Sequence, residues 1–278
     1  MIPAPPWRVA IVTRILPVAL GFYEVLRDAG HEPVALFSIR DQRFGPSAIG
    51  FELGEVPAEL EVLFPARRSS LAPLLRAVDS DLAVCMGFPW EVPPDALAVP
   101  PLGWLNGHPS LLPRHRGPTP LAWVIRDGDE ETGISFHRMD AEFDTGPVLA
   151  QRRFDVGEPG EPEEFFGRSA PLIAAAFAEA LERLAAGEEG EPQRDGGSYE
   201  SFFGDEDVDL DLRRPALELH RLVWAWRYAF TPGPRHGALL ELDGETVRVL
   251  ASSLTEVEGA RRVDCADAPL WLGQTEPV

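Results

Sequence analysis

Lysine is absent from this 278-residue sequence. Its 25 basic residues are therefore all arginines, and they stand against 45 acidic residues, for a formal net charge of -20. Without a lysine amine, Schiff-base chemistry and the lysine of a phosphate-binding loop are excluded. The acidity also disfavours nucleic acid partners, because binding a long polyanion depends on many cationic contacts. We expect no DNA partner.

Cysteines and long apolar runs are scarce as well. The two cysteines, Cys85 and Cys265, are too few for the disulfide framework of a secreted protein. The apolar stretch 9–12 is flanked by Arg8 and Arg14, so it reaches the length of neither a signal peptide nor a membrane span. No spacing of Cys or His is typical of a metal site. The sequence thus predicts a cytoplasmic protein with no membrane contact and no metal.

Short apolar runs alternate with helical patterns from residue 8 onward, which is typical of an α/β fold. We predict strands at 9–13, 33–38, 60–64, 82–86, 103–106, 133–138 and 148–154. Helices are predicted at 18–28, 71–79, 120–126 and 162–187. The expected fold is Rossmann-like, with a mostly parallel sheet flanked by helices. No Gly-x-Gly-x-x-Gly follows the first strand, so no dinucleotide is expected.

The pattern changes after the fourth helix. Gly, Glu, Pro and polar residues at 188–197 have no apolar periodicity, which indicates a linker. Beyond it, apolar residues from Leu217 to Trp226 predict a helix, and 238–242 with 246–251 predict a hairpin. We therefore divide the chain into a main domain at 1–187, a linker at 188–207 and a small α+β or β-rich C-terminal domain at 208–278.

Asn106 ends the fifth predicted strand, and His108 comes two residues later. Two residues apart on an extended chain, they face the same side. Acyl transfer needs a donor aimed at a developing oxyanion and a group that can protonate a leaving nitrogen, and an amide beside an imidazole could supply both. Taken alone, the pair is more typical of a loop histidine that is merely hydrogen-bonded.

The surrounding motifs resolve this choice. Asn-Gly-His-Pro-Ser-Leu-Leu-Pro at 106–113, Arg-Gly at 116–117, Thr-Gly at 132–133 and Phe-Asp-Thr-Gly-Pro at 143–147 together resemble the folate-dependent formyltransferase family. That family includes glycinamide ribonucleotide, methionyl-tRNA and sugar-amine formyltransferases. The resemblance is strong over 81–151 and weaker over most of the remaining chain.

The resemblance implies an enzyme that moves a formyl group from 10-formyltetrahydrofolate to an amine. Asn106 would hydrogen-bond the developing oxyanion, and His108 would stabilise the charge and protonate N10. Asp144 would favour the imidazolium and relay the amine's proton. The family's folate cleft maps onto three loops, whose residues are Met86, Gly87, Phe88 and Trp90, then Ser110, Leu111, Leu112 and Pro113, then Asp140, Ala141, Glu142 and Phe143. The other five histidines, His31, His115, His137, His220 and His236, are given no role.

The accessory unit makes the chain resemble the methionyl-tRNA and sugar-amine members more than the single-domain glycinamide ribonucleotide members. The tRNA enzymes usually carry a basic, lysine-containing loop after the second strand and a basic C-terminal barrel. Here 38–54 is short and mixed, and the tail is acidic. We therefore favour a small-molecule amine, such as an amino sugar or a biosynthetic intermediate, over methionyl-tRNA.

Three further points stay open at this level. A 10-formyltetrahydrofolate hydrolase could use the same three residues with water as the acceptor. A non-catalytic folate-binding module is a third alternative. The Trp-rich segment 224–230 offers a homodimer surface, although we prefer packing against its own sheet domain.

Overall fold

The computed structural model describes residues 5–39, 53–158, 160–229 and 237–278. Most of the loop after the second strand and His236 thus lie outside the described residues. The strands of the main sheet are β1 (Arg8–Val12), β2 (Glu32–Phe37), β3 (Glu61–Leu63), β4 (Leu82–Cys85), β5 (Trp104–His108), β6 (Glu131–Arg138) and β7 (Val148–Asp155). The helices are α1 (Leu16–Asp28), α2 (Leu71–Ala77), α3 (Pro94–Leu97), α4 (Pro120–Asp127), α5 (Pro162–Ala185) and α6 (Ala216–Tyr228). A second sheet contains β8 (Ala238–Leu242), β9 (Glu245–Ser253), β10 (Arg261–Asp264) and β11 (Pro269–Pro277).

The main sheet has the order β3-β2-β1-β4-β5-β6-β7. The first five strands in this order are parallel, and β6 and β7 are antiparallel to their neighbours. The predicted α/β class and the mostly parallel sheet are therefore confirmed. The short loop between β6 and β7 has no room for a crossover helix, which makes these two strands antiparallel to each other.

Alternation along the buried strands divides the main core into two layers. In β1, Val9 and Ile11 face the layer that holds α1 and α5, whereas Ala10 and Val12 face the layer that holds α2 and α3. Both faces of the sheet are thus covered, as a parallel sheet requires. Among the described helices, none combines the length and the apolarity needed to cross a membrane.

The C-terminal sheet is antiparallel, with the order β10-β11-β9-β8. The predicted hairpin is present as β8 and β9, and the predicted helix as α6. Strands β10 and β11 were not predicted. Strand β10 is short and charged and so lacks an apolar signal. Trp226 is buried and donates to the carbonyl oxygen of Asp207, so this part of the Trp-rich segment packs within its own chain.

The C-terminal unit shares an apolar core with the main domain. Leu121 and Val124 of α4 pack in one cluster with Leu219 and Leu222 of α6. The polar residues between the two units are also in contact with the main domain. Glu191 pairs with Val148, and a parallel bridge joins Arg116 to Tyr199. We call residues 190–200 the crossing segment, because they cross the loops that follow β5 and β6. The domain boundaries stay a prediction.

Candidate active site

Strand β5 carries Asn106 and ends at His108. The register with β6 sets Asn106 opposite His137. His108 is buried and Asn106 is half-buried. The Nε2 atom of His108 lies 2.7 Å from the carbonyl oxygen of His115. Because a carbonyl oxygen can only accept, Nε2 carries the proton, and Nδ1 is the nitrogen left for chemistry.

Asp144 joins this pair from the loop between β6 and β7. Its backbone φ is 57°, in the left-handed region that few residues other than glycine adopt. Its Oδ1 lies 3.5 Å from Nδ1 of His108 and accepts from Nδ2 of Asn106 at 3.2 Å. Its Oδ2 accepts from the N–H of Gly117 at 2.9 Å. The structure therefore brings together the three residues that the family resemblance singled out.

The environment keeps Asp144 ionised and His108 neutral near pH 7. Burial alone would raise the pKa of Asp144, but the imidazoles of His108 and His137 and the N–H of Gly117 hold that pKa well below its usual range. Burial also lowers the pKa of His108, although Asp144 and the hydrogen bond to His115 oppose this shift. The site thus pairs a carboxylate with a neutral imidazole that can accept a proton.

His137, to which the sequence analysis gave no role, is part of this network. Its Nδ1 donates to the carbonyl oxygen of Arg138 at 2.9 Å, so in a neutral ring Nε2 is an acceptor. Nδ2 of Asn106 lies 3.1 Å from that Nε2. The two N–H groups of Asn106 are therefore directed at His137 and Asp144. Sequence reasoning could have found this contact only from the β5–β6 register.

His115 was also given no role, yet its ring is buried between two carboxylates. Its Nε2 lies 2.9 Å from Oδ2 of Asp129, and its Nδ1 lies 3.5 Å from Oε1 of Glu200. Arg114 pairs with the same oxygen of Asp129. His115 has a left-handed φ of 52°. This cluster holds in place the carbonyl group that binds His108.

Two of the remaining histidines have structural partners. His31 accepts from the N–H of Trp7 through Nδ1 and stacks on that indole ring. His220 lies 3.0 Å from Oγ of Ser252. His236 falls outside the described residues.

The first predicted folate loop follows β4. Met86 is buried, Gly87 is exposed with a φ of 64°, and Phe88 and Trp90 are half-buried rings in edge-to-face contact, with centroids 5.7 Å apart. Cys85, just before this loop, is buried, and burial raises the pKa of its thiol to about 12. The thiol is therefore protonated and unreactive.

The second predicted folate loop is largely packed into the protein. Ser110 and Leu112 are buried, and Leu111 and Pro113 are half-buried. The hydroxyl of Ser110 donates to the carbonyl oxygen of Arg114 at 2.7 Å. The side chains of Ser110 and Leu112 therefore support the loop, and backbone groups are what it can offer to a ligand.

The third predicted folate loop is open. Asp140, Ala141, Glu142 and Phe143 are exposed, and half of the Phe143 side chain is accessible to solvent. An exposed ring and exposed peptide groups next to a charged network suit a flat heterocycle with polar edges, as in a pterin. The residues present therefore fit a reduced folate. A half-open cavity of about 160 Å³ lies elsewhere, between β7 and α5, where Phe154, Phe165 and Arg168 line it.

Comparison with known sequences gives consistent matches. A family model described as formyl transferase matches residues 52–181. The methionyl-tRNA formyltransferase of Synechococcus sp. (strain RCC307) is 35% identical over 226 residues, which cover 74% of this chain and 68% of that protein. The corresponding enzyme of Pseudomonas fluorescens (strain Pf0-1) is 34% identical over 249 residues, which cover 85% of this chain and 75% of that protein.

Solved structures share the fold. HypX from Aquifex aeolicus, in a complex with tetrahydrofolic acid, matches 98% of this chain with a TM-score of 0.71 at 17% identity, and the chain spans 44% of HypX. A 4-N formyltransferase from Francisella tularensis matches 90% of this chain and 99% of its own length, with a TM-score of 0.67 at 18% identity. At these identities the likeness concerns the fold alone.

Proposed function

The chain belongs to the formyl transferase family, whose members take their formyl group from 10-formyltetrahydrofolate, and from this premise we propose that it formylates the amine of methionyl-tRNA. The observation that carries the proposal is the extent of the sequence likeness. Curated methionyl-tRNA formyltransferases match up to 85% of the chain, well beyond the 130 or so residues of the family model. This likeness outweighs the preference for a small amine that charge suggested.

The folate supplies a formyl carbon that is open to attack by an amine. His108 accepts a proton through Nδ1, because its Nε2 is committed to the carbonyl of His115. Asp144, 3.5 Å from that Nδ1, stabilises the imidazolium that forms. The same proton then returns from Nδ1 to the leaving nitrogen.

Asn106 stabilises the negative charge that develops on the formyl oxygen. In the structure its two N–H groups are directed at Oδ1 of Asp144 and Nε2 of His137. The bond to the carboxylate is charge-assisted and therefore stronger than a bond to an uncharged acceptor. We assign the N–H that faces His137 to the formyl oxygen.

A small-molecule amine is the second candidate, and the charges of the protein favour it. Many arginines of the described ranges lie against carboxylates rather than forming an open basic surface. Such ion pairs include Arg68–Glu91, Arg126–Asp207, Arg153–Glu131, Arg214–Glu218 and Arg261–Asp243. A polyanion would have to compete with these carboxylates for each cation.

One experiment compares both acceptors. The purified chain is incubated with 10-formyltetrahydrofolate and either methionyl-tRNA or a panel of nucleotide-linked amino sugars, with Asp144→Asn as the inactive control. We expect N-formylmethionyl-tRNA, with a KM that rises steeply with salt concentration. If only an amino sugar were formylated, the acceptor would be a small amine and not methionyl-tRNA. Formate release without an acceptor would instead identify a hydrolase.

A further inference from the structure

Gln193, on the crossing segment, joins the two loops around the catalytic trio. Its Nε2 donates to the carbonyl oxygens of Asp144 at 2.7 Å and Gly146 at 2.8 Å. Its Oε1 accepts from Nε and Nη2 of Arg116, at 3.0 Å and 2.7 Å. Carbonyl oxygens only accept and a guanidinium only donates, so the amide is held in one orientation. Both ends of the side chain are used.

The conformation of the Asp144 loop depends on contacts with residues outside the loop. The left-handed φ of Asp144 is unfavourable for an L-residue. The loop also folds closely onto the end of β6, since a Cβ atom on Gly146 would lie 1.9 Å from the carbonyl oxygen of Arg138. A strained conformation of this kind persists only when surrounding contacts determine it. Gln193 supplies two of these contacts.

The crossing segment also holds the loop that contains Gly117. The N–H of Arg116 donates to the carbonyl of Ser198 at 3.1 Å, and the N–H of Glu200 donates to the carbonyl of Arg116 at 2.9 Å. Gly117 has a φ of 115°, and a Cβ atom there would lie 2.0 Å from the carbonyl oxygen of Glu200. Gly117 in turn donates to Asp144. Donor and acceptor of that bond are therefore both positioned by the crossing segment.

We propose that Gln193 is a positioning residue for formyl transfer, because its side chain ties the Arg116–Gly117 loop to the Asp144–Gly146 loop and so keeps the Asp144 carboxylate beside His108. The inference rests on the proposed function, in which this carboxylate and imidazole handle the proton. A segment with the composition of a linker is thereby part of the active site.

Two substitutions separate the contact of Gln193 with Arg116 from its contacts with Asp144 and Gly146. Gln193→Met has a similar length and removes every hydrogen bond of the amide. Gln193→Glu keeps acceptors for Arg116 but replaces the donors by a carboxylate that faces the carbonyl oxygens of Asp144 and Gly146. Asp195→Asn, at an exposed position on the same segment, is the matched control.

We expect both Gln193 variants to lower kcat about tenfold or more, since a displacement of 1 Å can cost up to about a hundredfold. KM for both substrates should change little, because Gln193 acts on Asp144 rather than on a ligand. Asp195→Asn should match the unaltered protein. If Gln193→Glu retained full kcat, the contact with Arg116 alone would suffice and the proposal would be wrong. Should Gln193→Met fail to fold, Gln193→Glu still decides the question.

A second measurement needs neither substrate nor activity. The titration of the His108 ring is followed by NMR in the unliganded protein, with His108→Gln used for assignment. The ring faces Asp144, the carbonyl of His115 and the ring of His137. Asp144 raises the pKa of His108, so loosening its loop in Gln193→Met should move the midpoint to lower pH.

Failure of the proposed function and failure of the positioning role of Gln193 give different results. An unaltered protein that formylates no amine would contradict the proposed function, while the NMR comparison would still report on the position of Asp144. Formyl transfer by the unaltered protein, with the same kcat and the same His108 midpoint in Gln193→Met, would contradict the positioning role only.

Discussion

Two of the buried histidine–carboxylate pairs in the described part of the chain, His108–Asp144 and His115–Asp129, differ in geometry. His108 and Asp144 are 3.5 Å apart, whereas His115 and Asp129 are 2.9 Å apart. The two rings are equally buried, at 5% side-chain exposure, and the carboxylates are similar at 10% and 16%. Burial therefore does not distinguish the pairs. The difference lies in what else each group binds.

In the His115–Asp129 pair, each side chain also contacts a further charged group. Arg114 pairs with Asp129, and Glu200 faces the second nitrogen of His115. Burial would raise the pKa of Asp129, but Arg114 and His115 lower it. The carboxylate of Asp144 is instead bound by the N–H groups of Asn106 and Gly117, and the longer contact leaves Nδ1 of His108 able to exchange a proton. The closer pair is thus structural, and the looser pair is suited to catalysis.

The largest expected effect compares the two carboxylates directly. Asp144→Asn should lower turnover about a thousandfold, the scale of general acid–base catalysis. Asp129→Asn affects only the support of the carbonyl that binds His108, so it should lower turnover much less, and it should lower the free energy of unfolding by about 1 kcal/mol, because it weakens a hydrogen bond to a charged group. Steady-state kinetics and urea unfolding check the two outcomes. Equal losses of turnover in both variants would remove the distinction between the pairs.

A smaller loss is expected at Asn106. Asn106→Ala removes the proposed oxyanion donor and should lower kcat about 100- to 1000-fold with little change in KM, because the interaction forms only as charge develops. Single-turnover kinetics with saturating 10-formyltetrahydrofolate would measure the chemical step. Turnover equal to that of the unaltered protein would rule out the oxyanion role.

The smallest effect is a shift in titration. Burial lowers the pKa of His108, and Asp144 opposes this by favouring the charged ring. The His108 midpoint should therefore lie below 6.5, the ordinary value for histidine, and Asp144→Asn should lower it further. NMR of the ring protons in the unliganded protein would follow both. A midpoint that rises in Asp144→Asn would contradict the assigned pairing of Nδ1 with Oδ1.

Much of the fold and the centre of the site were predictable from local patterns. Each predicted strand of the main sheet is present within a few residues, because buried parallel strands are short apolar runs. Asn106, His108 and Asp144 were identified from motifs and meet in the structure. Their catalytic roles and the folate contacts stay predictions. The contacts of His137 and Gln193 were not predictable, because no local pattern reports which loop a polar side chain reaches.

The sequence by itself determined the order of the main-sheet strands and of the longer helices, the family and the chemical groups available for catalysis, since these depend on residue types and their spacing along the chain. Only the tertiary structure decided which histidine lies farther from its carboxylate, which lies closer, and that residues 190–200 contact the loops that carry Gly117 and Asp144. Such choices rest on differences of less than 1 Å between groups from distant parts of the chain. Packing and strand register set those distances, and neither is encoded at any single position.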